Sequence, residues 1–246
     1  MDREHADSPF PSTRWSVVLS LREAADSTSA SQALRQLCEA YWYPLYIFAR
    51  RRGFAPSDAE DATQGFFAYL LARNLFAAAE PQLGKLRTFL LTAFDRFLGD
   101  ARDRERAQKR GGDCELIALD ATDGESRYAY EPLDIASPER LFERSWAMTV
   151  LRSALVELST DEASAGRAAQ FRALQPFLSP DATAAASYPA AAQRISLSEG
   201  AVRQIVSRLR RKFRDSLRRQ IADTLREPTD VQIEEELFSL RAALRG

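Results

Sequence analysis

Histidine and cysteine are nearly missing from this 246-residue chain: His5 is the only histidine, and Cys38 and Cys114 are the only cysteines. A zinc centre needs several such ligands at close spacing, and a histidine-dependent triad needs an imidazole beside its nucleophile. His5 lies in a polar N-terminal stretch of acids and prolines, and two isolated cysteines frame neither a zinc site nor a disulfide scaffold. No metal and no cofactor is expected. A phosphate-binding glycine loop is missing too, and no activated base accompanies the acidic residues. The chain therefore reads as a non-enzyme. No apolar run approaches the roughly 20 residues that cross a bilayer, so no membrane partner is expected. Neither does an apolar signal core open the sequence. A cytoplasmic protein is the expectation. Alternating strand patterns are absent as well; helical periodicity dominates, which makes the expected fold class all-α.

Charge is abundant but unevenly placed. The total is only −1. Between Arg194 and Arg219, however, nine basic residues face only Glu199 and Asp215, a local net of +7. Residues 85–110 carry a net of +4, and residues 113–137 a net of −6. Such alternation points to two basic surfaces joined by an acidic connector.

The helical pattern places boundaries along the chain. Residues 1–12 read as a disordered tail. A first helical module spans 13–110. In it Leu34, Leu37, Tyr41, Leu45 and Phe48 share a face, which Pro44 is expected to bend. Gly53 stops that helix, and Ser57 with Glu60 makes a capping-box pattern for the next. A third helix carries Leu86, Phe89, Leu90, Phe94, Phe97 and Leu98 as its apolar face. Residues 111–136, with Gly, Asp and Pro, read as an acidic linker. Ser137-Pro138 then restarts helix in a second module, 137–222. Residues 223–246 form an acidic amphipathic C-terminal extension, with Ile233, Leu237, Leu240 and Leu244 at helical spacing.

The stretch A-Q-R-I-S-L-S-E-G-A-V-R-Q-I-V-S-R-L-R-R-K-F-R-D-S-L-R-R carries the clearest chemistry. It reads as helix, tight turn and second helix. Val202, Ile205, Leu209, Phe213 and Leu217 make one stripe; Arg203, Ser207, Arg210, Arg211 and Arg214 make another. A helix so built packs on one side and enters a DNA major groove on the other. Ser196 stands in the turn where glycine is often found, so some backbone strain is expected there. Asp58, Glu60 and Asp61, with Gln64 a turn later, admit two accounts: favourable placement at a helix N-terminus, or an acidic docking edge for a basic partner. The mixed run Arg102–Arg110 reads more simply as a solvated helix end. Phe89, Phe94 and Phe97 read more simply as core, although aromatics beside a basic helix are what capture of an unstacked base requires.

Taken in order, these segments resemble the extracytoplasmic-function (ECF) sigma factors of bacterial RNA polymerase across nearly the whole chain. Y-W-Y-P-L-Y-I-F-A-R-R, D-A-E-D-A-T-Q-G-F-F and L-R-T-F-L-L-T-A-F-D-R-F-L-G-D are similar to sigma domain two. S-E-G-A-V-R-Q-I-V-S-R-L-R-R-K-F-R is similar to the recognition helix of sigma domain four. T-R-W-S-V-V, K-R-G-G and P-E-R-L-F-E-R-S-W-A resemble motifs of one subgroup. The resemblance implies a promoter-recognition subunit that directs transcription initiation, with core RNA polymerase and promoter DNA as partners. It implies that Asp58, Glu60, Asp61 and Gln64 dock on the polymerase, and that the acidic linker threads its nucleic-acid cleft. Lys85, Arg87, Phe89 and Arg96 would meet the -10 element, Arg96 standing where the family commonly has Asn. Ser198, Arg203, Gln204, Ser207, Arg210 and Arg211 would read the -35 element. An anti-sigma factor or a regulatory kinase is a further partner that the resemblance admits. The alternative is a stand-alone helix-turn-helix transcriptional regulator, which needs no polymerase contact.

Overall fold

Leu37, Tyr41, Leu45 and Phe48 recur at helical spacing, and all four are fully buried. They line α1, Ser27–Arg51. The computed structural model describes residues 27–72, 85–107, 124–131, 137–178, 187–225 and 228–245. The N-terminal tail with His5, the T-R-W-S-V-V and K-R-G-G motifs, Cys114 and most of the expected linker lie outside the described residues. Pro44 does not interrupt α1. Its missing N–H forfeits one helical bond, but Tyr43, Leu45 and Tyr46 beside it are buried and keep the helix packed. Gly53 ends the helix at a φ of +90°, and the N–H groups of Gly53 and Phe54 return to the Arg50 and Ala49 carbonyls. A left-handed cap of this kind suits a residue without Cβ.

The next helix, α2, runs Pro56–Ala72. It starts earlier than the Ser57 capping pattern predicts. The Ala55 carbonyl accepts the first helical bond, from Ala59 at 2.9 Å, and Pro56 suits the first position because its φ is already helical. Ser57 therefore sits inside the first turn. Helix α3 spans Leu86–Ala107. Its Phe94 joins the three helices: the ring lies 4.9 Å from Phe66 of α2 and 6.2 Å from Phe48 of α1, centroid to centroid. Both pairs are tilted, an arrangement that aromatic quadrupoles favour. Phe89 and Phe97 are only half-buried.

A short helix, α4 (Gly124–Tyr128), lies within the segment expected to be an open linker. It docks on α1. A Cβ on Gly124 would come within 3.1 Å of the Trp42 ring, so glycine permits the approach. Glu125 accepts hydrogen bonds from Tyr46 at 2.5 Å and from Arg50 at 2.9 and 3.0 Å, which holds its carboxyl below the usual range. Tyr43 donates to Glu131 at 3.1 Å, and Arg127 stacks 3.5 Å over the Tyr43 ring. In the described part of the acidic stretch, Glu125 is thus neutralised by Arg50 of α1, while Glu131 lies 3.9 Å from Arg144. Composition cannot reveal this, because the α1 partners lie some 80 residues upstream.

The remaining helices are α5 (Pro138–Ser164), α6 (Ala168–Leu174) with a 3-10 turn at Gln175–Leu178, α7 (Tyr188–Arg194), α8 (Glu199–Ala222) and α9 (Asp230–Arg245). Ser137 caps α5 by accepting from the Arg140 N–H at 3.2 Å. The described residues form helices and no strand; one isolated antiparallel bridge joins Lys85 and Leu225. Two units emerge, Met1–Trp146 with Ala222–Gly246, and Ala147–Ile221. The described part of the C-terminal extension falls with the first unit. No described helix is long and apolar enough to cross a membrane.

Candidate nucleic-acid interface

In the second unit, α7 and α8 meet across the turn 195–198. Ser187 caps α7, accepting from the Ala190 N–H at 3.5 Å, and Ser198 caps α8, accepting from Ala201 at 3.2 Å. Ser198 is exposed, and its hydroxyl oxygen holds the helix start. In the turn the Ser196 and Leu197 N–H groups return to Gln193 and Ala192, the bonding seen at Gly53. Here the left-handed residue carries a Cβ: Ser196 has a φ of +52°. Ser196→Gly is expected to stabilise the protein by about 0.5–1 kcal/mol, read from urea unfolding, because glycine reaches this region without the steric cost.

The apolar side of α8 packs into a core of Leu158, Phe171, Leu174, Phe177, Ala191 and Ala192. Val202, Val206 and Leu209 are the α8 side chains buried there, with Ile205 and Phe213 at its margin. The helix is therefore centred on Val206 rather than on Ile205, a rotation the sequence stripe did not specify. Opposite that core, at spacings of three and four, lie Gln204, Ser207, Arg208, Arg211 and Asp215, all exposed. Among the described residues no ion pair holds Arg208, Arg211 or Arg214.

The other cations of the stripe are engaged. Arg203 pairs with Glu199 at 2.5 Å and stacks 4.3 Å over Tyr188. Arg210 donates from Nε and Nη2 to the Phe177 carbonyl, both at 3.1 Å, so it clasps the 3-10 turn. Arg219 pairs with Glu157 at 2.7 Å. Burial alone would raise the Glu157 carboxyl, but hydrogen bonds from Ser216, Arg219 and Gln220 hold it low. Lys212 reaches Glu162 at 2.5 Å. Arg208, outside the expected set, is thus an exposed cation with no ion pair among the described residues, whereas Arg210, also exposed, is engaged with the Phe177 carbonyl; sequence periodicity alone could not separate them, since both lie outside the apolar stripe.

Glu162 is expected to make this unit acid-sensitive. Its carboxylate is almost fully buried and accepts from Arg167 at 2.5 Å as well as from Lys212. The Arg167 hydrogen bond, reinforced by Lys212, lowers its pKa from 4.5 to about 2. A depressed folded value means that the stabilisation is complete above about pH 5 and is lost as the pH falls toward 2. It amounts to about 2–3 kcal/mol. Glu162→Gln is expected to lose roughly that much at pH 7 and little at pH 2, measured by urea unfolding across the pH series.

In the first unit, Asp58 and Asp61 of α2 are exposed, and Glu60 and Gln64 are half-buried. Gln64 donates to Glu60 at 3.5 Å. The opposite side of α2 is buried through Ala59, Thr63, Phe66, Phe67 and Leu70. Among the described residues no cation pairs with Asp58 or Asp61, so their charges face solvent. On α3, Arg96 is exposed, whereas its neighbour Asp95 pairs with Arg52. Phe89 is half-buried and Lys85 pairs with Glu236. Arg87 departs furthest from expectation. Only 5 % exposed, it lies 4.2 Å over the Trp146 ring and pairs with Glu143 at 2.8 Å and with Glu236. It cannot meet DNA while that packing holds.

No protein-family model, curated protein or solved structure matches this chain.

Proposed function

We propose that this chain is a promoter-specificity subunit of bacterial RNA polymerase, of the ECF sigma type. The observation that carries the reading is the open α8 face, Gln204, Ser207, Arg208 and Arg211, on the second helix of a helix-turn-helix. Arginine there attracts phosphates and reads guanine edges in the major groove, while Gln and Ser hydroxyl or amide groups meet other bases. Asp58 and Asp61, exposed and without a cation partner among the described residues, support a second, protein-facing contact. Arg96 and Phe89 on α3, with Lys85 just before it once released from Glu236, fit capture of a melted strand, where unstacking costs a few kcal/mol that base and phosphate contacts offset. In this reading the first unit corresponds to sigma domain two and the second to sigma domain four.

Transcription in vitro tests it: core polymerase, with and without the chain, on fragmented genomic DNA. New start sites that appear only with the chain are the expected result, and Asp61→Ala should weaken polymerase association while leaving duplex affinity unchanged. Tight duplex binding with no new start sites would establish the stand-alone regulator instead.

A further inference from the structure

Lys85 immediately precedes α3 and Arg87 lies in its first turn, and both cations are directed to one carboxylate. Glu236 of α9 is 1 % exposed; its Oε1 lies 2.5 Å from the Lys85 ammonium, and its Oε2 meets Arg87 Nη1. Arg87 Nε is held by Glu143, and the guanidinium lies flat over Trp146. The antiparallel bridge between Lys85 and Leu225 brings the chain back to this point just before α9 begins. Leu237 and Leu240 are the apolar anchors of α9, both buried.

We propose that Lys85 and Arg87 form a phosphodiester-binding site whose resident occupant is the Glu236 carboxylate, so that α9 is a displaceable latch over the DNA face of α3. The inference rests on the reading of α3 as a strand-binding helix. Three observations favour exchange over permanent packing. A carboxylate and a phosphodiester are both anions with oxygens placed for a guanidinium fork, so one substitutes for the other on the same donors. Buried ionic contacts are also a poor choice for fixing a helix, because apolar side chains of similar size hold at least as well. Finally, α9 is not fully sealed to its support. An open cleft of about 620 Å³ lies beside Arg87, lined by Arg140, Glu143, Phe238 and Ala242. Phe238 is 74 % and Val231 68 % exposed on the same helix. When α9 lifts, Lys85, Arg87 and Arg140 stand against Glu139 and Glu143, which leaves one net positive charge for a phosphate.

Binding of a fluorescein-labelled oligothymidylate to the full-length chain tests the latch, because phosphate contacts need no particular sequence. Glu236→Gln and, separately, Leu240→Asp are each expected to tighten binding roughly tenfold, the worth of one charge-assisted contact. Each should also steepen the salt dependence of log K by about 0.7, one added phosphate on a single strand. Adding Arg87→Ala should abolish both gains. In the unaltered chain, the oligonucleotide should in turn speed amide hydrogen exchange over residues 230–245, since the competition is reciprocal. Wild-type affinity and salt slope in both variants, or a gain that survives Arg87→Ala, overturns the latch. Should the oligonucleotide bind and Arg96→Ala weaken it while Glu236→Gln stays silent, the latch alone falls. Should no form of the chain bind it, the strand-binding reading of α3 falls and takes the latch with it.

Discussion

Replacing Arg208 and Arg211 together by alanine is expected to lower affinity for a promoter duplex roughly a hundredfold, with little change in stability. Each good arginine contact to a guanine edge is worth about 1–3 kcal/mol, and loss of two therefore reaches that range. Both side chains lie opposite Val202, Val206 and Leu209, the buried side of α8, and among the described residues neither is held by an ion pair. Nothing in the fold is thereby disturbed by their removal. The matched control is Arg210→Ala. Its guanidinium satisfies the Phe177 carbonyl, so the expected loss is about 1–2 kcal/mol of stability, with affinity nearly retained. Duplexes taken from the mapped start sites, measured by anisotropy alongside urea unfolding, separate the two outcomes. Equal loss of DNA binding in Arg210→Ala and in the double variant would show that the open face has been drawn wrongly.

Phe94→Ala is the substitution expected to harm the first unit most. The ring is fully buried and touches Phe48 and Phe66, one from each neighbouring helix. Truncation removes a large apolar surface and leaves a cavity that three helices cannot close, a loss of about 3–5 kcal/mol. Against a typical total of about 5–15 kcal/mol, that is most of the margin. Phe94→Leu keeps much of the volume and should cost less than about 2 kcal/mol. Urea unfolding followed by helical circular dichroism measures both. A small effect from Phe94→Ala would mean that α1, α2 and α3 do not share the core described above. The functional consequence follows from position: α2 carries Asp58 and Asp61, and α3 carries Arg96, so the same core sets the spacing of both surfaces.

Helices were legible because their signals are local. The period of Leu37, Tyr41, Leu45 and Phe48 identifies α1 without any partner, and Ser137-Pro138 marks the start of α5 by cap chemistry alone. Gly53 and the turn at Ser196 could be read from the backbone freedom that each residue type has. Where two local signals compete, or the partners are distant, local pattern does not decide the structure. Ser57-x-x-Glu60 is a capping pattern, yet Pro56 starts α2 earlier because its ring favours the first helical position. The α4 segment was obscured by its acids, which find Tyr43, Tyr46 and Arg50 far upstream.

By itself, then, the sequence determined all but α4 of the described helices, the approximate apolar side of each, and where positive and negative charge accumulate. Those properties depend on neighbours within a turn or two of helix. Tertiary structure decided which charges remain open. Arg208 and Arg210 are two residues apart on α8 and both exposed, but the second donates to a carbonyl of the 3-10 turn and the first has no ion pair among the described residues. Arg87 looked as available as Arg96, yet Glu143, Trp146 and Glu236 converge on it from segments 56 to 149 residues away. A charge is free or spent according to what the fold brings beside it, and no local pattern carries that distance.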